Sequence, residues 1–331
     1  MKRSISLVLC LVLLIGIFAG CSAPATEPTT TPVGNSPTNI DWPKKNIQII
    51  VPFGAGGDTD FNARTYAQFL TKELGTNVVV VNTTGNGGVT GTRKVMDSAN
   101  DGYTVLFNTS AFIMNVVSGA ADYGFDNFEV ANVAGIRAGD IVAVRKDSGF
   151  KTMKDLVDYT NANPDKLKLA ITTGGLNHGT ALLLQQAGVK ATLVDAGSTS
   201  ERLAALLGGH LDIVMNPYGT IKDYLTTGEL VALANPIAER PKYIADIPTA
   251  KEQGYDAVLD GYYFWAFPKG TDPAIVEKFN TAVKKISENA EYQEMIKTSY
   301  SQEPFYAGRE EGLKLLNIQM EQMDKFRAMF K

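Results

Sequence analysis

From residue 46 onward, short runs of β-branched residues alternate with segments whose apolar side chains recur at helical spacing. Residues 46–52, 77–82 and 103–108 read as buried strands, and 59–74 and 89–99 as the helices between them. A second block repeats the order. Its strands fall at 141–145, 167–172, 191–195, 211–215 and 230–234, and its helices at 152–161, 177–187, 199–207 and 220–226. Strands separated by helices imply parallel pairing with helices on the sheet faces. The tail differs: 262–268 is aromatic and strand-like, Pro273 opens an amphipathic helix, and a last helix is expected over 309–330. Two α/β blocks and a helical return predict two lobes, with the chain crossing between them more than once.

The strand-to-helix loops carry the functional signal. They include Pro52-Phe-Gly-Ala-Gly-Gly-Asp-Thr-Asp60, Asn82-Thr-Thr-Gly-Asn-Gly-Gly-Val-Thr90, Asn108-Thr-Ser110, Thr172-Thr-Gly-Gly-Leu-Asn-His178, Asp195-Ala-Gly-Ser-Thr-Ser200 and Asn216-Pro-Tyr-Gly-Thr220. Each opens a helix, whose first N–H groups lack intrahelical partners and carry part of the helix dipole. In open α/β sheets such loops lie at the carboxyl ends of the strands, where ligands bind. Catalytic patterns are missing: no P-loop, no G-x-S-x-G elbow, and an incomplete dinucleotide fingerprint at 54–59, followed by Asn82 where an acid would be needed. Of the two histidines, His178 reads as a hydrogen-bonding residue at a helix start and His210 as a turn residue. An extracellular hydrolase using His178 is the enzyme alternative. Asp58 and Asp60 suit a helix start, and Asp60 is expected to matter more to a ligand than Asp58.

The two cysteines are Cys10 and Cys21. Lys2 and Arg3 precede the apolar run 5–18, which is too short for a confident membrane span. Phe18-Ala19-Gly20-Cys21 resembles a lipobox. That resemblance implies a lipoprotein signal peptide over 1–21, with Cys21 lipidated as the mature N-terminus. Residues 22–43, rich in Ser, Thr, Pro and Ala, read as a flexible tether. The mature domain then has no cysteine for a disulfide, a metal or a nucleophile, and neither a metal nor a cofactor is expected. The net charge of −4 and the lack of a basic run argue against nucleic acid.

Ordered matches over 43–327 make the chain similar to the solute-binding receptors of tripartite tricarboxylate transporters, the Bug family. They include Trp42-Pro43, Ile50-Val-Pro-Phe53, Gly56-Gly57, Thr59-Asp60, Asn82, Gly85, Gly87-Gly88, Asp101-Gly-Tyr-Thr104, Thr109-Ser110, Leu206-Leu-Gly-Gly209, Ile247-Pro-Thr249 and Phe267-Pro-Lys-Gly270. The resemblance implies a two-lobed, type II periplasmic-binding-protein clamshell, each lobe a mixed sheet flanked by helices. Lobe 1 is expected over 44–137 and 238–331, lobe 2 over 138–237. It also implies a non-enzymatic, monomeric receptor that hands a small carboxylate to membrane permease subunits; a sensor signalling to a membrane kinase or chemoreceptor is the alternative. The ligand-binding residues it carries over are Phe53, Gly56, Gly57, Thr59, Asp60, Asn82, Gly87, Gly88, Thr109, Ser110 and Gly174. The loop reading adds Asp195 and Tyr218. Thr83-Thr84 and Asp195-Ala196 depart from the family's Arg-Pro and Pro-Tyr. Asp195 puts negative charge near the rim of the second lobe, which disfavours a polyanion and leaves a monocarboxylate, a zwitterion or an uncharged amide.

Overall fold

The computed structural model describes residues 40–330. The expected signal peptide, Cys21 and the tether through residue 39 lie outside the described residues. Trp42, read above as the end of the tether, is only 4% exposed and packs in a hydrophobic core, so the fold begins before residue 44. Among the described residues no helix is long and apolar enough to cross a membrane.

The chain opens as β1 (Ile47–Val51), α1 (Asp58–Leu74), β2 (Val78–Asn82), α2 (Val89–Met96), β3 (Thr104–Thr109), α3 (Ala111–Val117) and β4 (Phe128–Ile136). It then builds β5 (Asp140–Arg145), α4 (Met153–Ala162), β6 (Lys168–Ile171), α5 (Leu176–Gln186), β7 (Thr192–Asp195), α6 (Thr199–Leu207), β8 (Ile213–Pro217), α7 (Tyr218–Thr226) and β9 (Leu230–Ala234). It returns through β10 (Tyr262–Pro268), α8 (Pro273–Ser287), α9 (Ala290–Tyr300) and α10 (Arg309–Met323), and a short 3-10 turn, Asp324–Ala328, follows.

Two sheets result, ordered β2-β1-β3-β10-β4 and β7-β6-β8-β5-β9. β1 runs parallel to β2 and β3, and β6 parallel to β7 and β8. All-parallel pairing fails at one strand in each sheet. β10 runs antiparallel to β3 and β4, and β5 antiparallel to β8 and β9. The reason is topological: β10 enters the first sheet from the second lobe rather than through a crossover helix, and β5 enters the second sheet from the first lobe in the same way. The chain passes from β4 to β5 and back from β9 to β10, and Asn235 Nδ2 ties the two passages by donating to the Ala138 carbonyl at 2.9 Å.

β4, α3 and α9 were not expected. The alanines, asparagine and glycine of β4 dilute its apolar pattern, and Asn132 is accommodated because it donates to Asn280 on α8 at 2.8 Å. The last helix also stops at Met323, before the 3-10 turn. The first lobe's core is aromatic. Trp265, fully buried, packs on Phe107 at 4.4 Å, Phe279 at 5.2 Å and Tyr66 at 5.6 Å between ring centroids. This packing fixes the strand ends from which the functional loops leave.

Candidate ligand-binding site

A cavity of about 640 Å³ lies where loops of both sheets meet. The first lobe contributes the β1–α1 loop, the β2–α2 loop and the residues after β3; the second contributes the β6–α5 and β7–α6 loops. The two sides touch. Asn115 Nδ2 donates to the Gly174 carbonyl at 2.8 Å and the Gly87 carbonyl at 3.2 Å, and Ser200 Oγ donates to the Ala55 carbonyl at 3.4 Å.

Three helices open onto this space without a side-chain cap: α1 at Gly57, α2 at Gly88 and α5 at Gly175. The first N–H groups of α1 and α5 keep their hydrogen-bonding capacity, and the dipole favours an anion there, whereas at α2 the Val89 and Thr90 N–H groups donate to the Asn86 and Gly85 carbonyls. α6 differs, because Ser198 and Glu201 form a reciprocal capping box that satisfies its end.

A buried charge cluster borders the same space. The Arg137 guanidinium donates to Asp58 at 3.1 Å and grips Asp140 with two bonds of 2.7 and 3.2 Å. Tyr263 donates its hydroxyl to Asp58 at 2.6 Å. Burial pushes the Asp58 carboxyl up, but Arg137 and Tyr263 outweigh it and hold its pKa below the ordinary carboxylate value. Burial likewise opposes the charge on Arg137, and Asp140 and Asp58 overcome it, keeping that pKa well above normal. Arg202 is 5% exposed and held by Asn216, Thr172, Gly197 and Thr199. Among the described residues it makes no ion pair, and burial lowers its pKa.

Of the residues expected from sequence, Phe53, Gly57, Thr59, Gly87, Gly88, Thr109 and Asp195 border the cavity. The others stand behind it. Asp60 accepts from the Gly56 N–H at 3.0 Å, Arg64 Nε at 3.0 Å and Asn82 Nδ2 at 2.9 Å. It therefore braces the first two loops together with Gly56 and Asn82, whereas Asp58 borders the cavity. Ser110 donates to Gln319 and accepts from the Tyr262 N–H, so it ties β3 to β10 and α10. Gly174 presents its carbonyl to Asn115, and Tyr218 packs against the second lobe's core. His178 accepts the Gly174 N–H on Nδ1 at 3.2 Å, the hydrogen-bonding role expected of it.

Sequence reading missed Arg137, Asp140, Asn177 and Arg202. Arg137 and Asp140 lie in a stretch with no recognised element. Arg202 did carry a signal: it is one helical turn before Leu206, and these two are the buried residues of α6.

The family model described as tripartite tricarboxylate transporter family receptor matches residues 62–329. A relative from Cupriavidus necator, the UPF0065 protein in gbd 5'region, is 31% identical over 275 residues, 80% of this chain and 81% of that protein. The structure of the periplasmic binding protein BugD aligns with a TM-score of 0.81 at 26% identity, covering 87% of this chain and 98% of that one. An R. palustris protein solved with adipate shares the fold, with a TM-score of 0.81 at 23% identity over 88% of this chain and 98% of that one. The family model covers the whole second sheet and the cavity loops from residue 84 onward. The chain belongs to the tripartite tricarboxylate transporter receptors, a family of extracytoplasmic solute-binding proteins and not of enzymes.

Proposed function

We propose that the cavity between the lobes captures a small organic acid or related zwitterion and that the loaded receptor delivers it to a tripartite tricarboxylate-type permease. The observation that carries this reading is the convergence of two uncapped helix N-termini, α1 from one lobe and α5 from the other, on one space. Such ends stabilise negative charge through fixed N–H groups. A ligand touching both sides favours the conformation in which the lobes meet. The adipate found with the R. palustris protein of this fold fits the same chemical class. The acids Asp58, Asp140, Asp195 and Glu201 border the space with only Arg137 and Arg202 against them. That balance favours a ligand of low total charge over a tricarboxylate. The candidate ligand contacts are Phe53, Gly57, Thr59, Gly87, Gly88, Thr109 and Asp195. Gly56, Asp60 and Asn82 act by bracing the loops. The lobe boundaries we assign follow the passages near residues 137 and 237.

Mass spectrometry of small molecules released from purified, unheated protein, followed by calorimetry with the identified solute, tests the reading. A carboxylate or amino acid is expected, and at 100 times its Kd it should stabilise the fold by about 2.7 kcal/mol. Turnover of the solute, or no stabilisation by any carboxylate or amino acid, would overturn it.

We place the receptor on the outer side of the membrane as a monomer, held by a lipid on Cys21 after removal of residues 1–21, with the tether giving it reach. Two acyl chains suffice for stable anchoring, and tethering raises the local concentration beside the permease. Cys21→Ser should move the protein from the membrane fraction to the soluble fraction without changing its solute affinity. Continued membrane retention of that variant would rule out the lipid.

A further inference from the structure

Two buried side chains of the second lobe have hydrogen-bond donors that the fold leaves unused, and both border the cavity. Asn177, 5% exposed, accepts the Thr172 N–H on Oδ1 at 3.2 Å, while its Nδ2 has no partner among the described residues. A buried amide group without a partner is costly, and native folds rarely keep one without a use. Arg202 is the second. Its Nε donates to Asn216, its Nη1 to Thr172 Oγ1 at 2.6 Å and to the Gly197 carbonyl at 2.9 Å, and its Nη2 to Thr199. A guanidinium has five N–H donors, so one on Nη2 is uncommitted. Thr172 joins the pair: its N–H holds Asn177 and its hydroxyl holds Arg202. The uncapped start of α5 at Gly175 lies on the same loop.

We propose that Arg202 and Asn177, coupled through Thr172, form a carboxylate subsite on the second lobe. The proposal rests on the receptor reading above and locates its ligand. Charge supports the placement. The first lobe's α1 already carries Asp58 and Asp60 in its first turn, which offset its dipole. Arg137 is shared between two carboxylates, whereas among the described residues no carboxylate lies within ion-pairing distance of Arg202, which feels Asp140, Asp58 and Asp195 only at longer range. A buried, unpaired guanidinium lowers stability until an anion arrives, and burial acting against its charge is the direction seen. The four bonds that fix Arg202 also preorganise it, so little side-chain entropy is lost on binding.

The test is a thermal-shift and calorimetric panel of C2–C8 mono-, di- and tricarboxylates and amino acids, each beside its carboxamide. It is run on the wild-type protein and on Arg202→Met, Arg202→Lys and Asn177→Leu. The wild type should bind at least one carboxylate and prefer it to the amide. Arg202→Met should weaken that carboxylate about 100-fold and abolish the preference over the amide. Asn177→Leu should weaken it about 10-fold. Arg202→Lys keeps the charge without the planar fork, and should retain the preference at reduced affinity; with Asn177→Leu it decides the matter if Arg202→Met does not fold. If both Arg202→Met and Asn177→Leu keep the carboxylate preference, the carboxylate sits elsewhere and the subsite is wrong, while the receptor reading stands. If no compound of the panel stabilises the wild type, the receptor reading fails, and the subsite with it.

Discussion

Replacing Arg137 with methionine should cost about 3–5 kcal/mol of stability, because it removes one partner of a buried ion cluster and leaves the others uncompensated. Arg137, Asp58 and Asp140 have side chains only 9%, 9% and 7% exposed, so water cannot take over the screening. Two carboxylates share this one guanidinium. Without it they face each other across a low-dielectric space. The pH dependence follows from Asp58. In the native protein its pKa lies below the unfolded value of about 3.9. Its contribution to stability is therefore fully present above that value and is lost as the pH falls through the native pKa. In Arg137→Met the burial that already pushes this carboxyl upward acts with less opposition, so the pKa rises above the unfolded value. The variant then binds a proton on folding and recovers stability as the pH falls from 7 towards 4. The gap between the proteins should be widest at neutral pH and should narrow on acidification. Urea unfolding at a series of pH values measures it. A loss under about 1 kcal/mol, independent of pH, would mean that the two acids need no counter-charge.

The sequence made the order of elements legible and left much of the site hidden, and the two outcomes have different physical causes. A run such as Val78–Asn82 or the i, i+4 pattern in Asp58–Leu74 is a local property, set by neighbours along the chain. The loops were legible for the same reason, since glycines before a helix mark a chain that must turn and leave N–H groups open. Direction was not. Asp58 and Asp60 look equivalent in sequence, yet Asp58 meets Arg137 and Tyr263, 79 and 205 positions away, while Asp60 turns back to Gly56 and Asn82. Asn132 in β4 reads as a strand breaker until Asn280, 148 positions later, supplies its partner. Arg202 shows the intermediate case. Its helical phase puts it on the face of Leu206, so a charge on the buried side of a short helix was visible. The lack of a carboxylate to meet it appears only in three dimensions.

Gly87→Ala should lower ligand affinity at least 30-fold while leaving a folded protein, because the added methyl group obstructs the meeting of the lobes rather than either lobe alone. Gly87 has φ +62°, and a Cβ there would lie 2.5 Å from the Thr173 carbonyl oxygen and 3.2 Å from Asn115 Nδ2. Thr173 belongs to the second lobe, so the clash is across the cleft and involves backbone, which cannot swing aside. It also strikes at the contact where Asn115 spans the Gly87 and Gly174 carbonyls. If only a fraction of molecules can reach the bound conformation, the apparent Kd rises by the reciprocal of that fraction. A 30-fold loss corresponds to about 2 kcal/mol against closure. The left-handed φ alone adds roughly 1–2 kcal/mol of strain to the folded chain, and a control must separate the two effects. Gly75 supplies it: φ is +66°, yet nothing lies within 4 Å of an added Cβ. Gly75→Ala should therefore lose comparable stability with unchanged affinity. Calorimetry with the identified solute measures both affinities, and small-angle scattering should show wild type and Gly75→Ala contracting on ligand addition while Gly87→Ala stays open. Equal affinity losses in the two variants would trace the effect to backbone strain. Wild-type affinity in Gly87→Ala would mean that ligand is held without this contact, and closure would no longer account for binding.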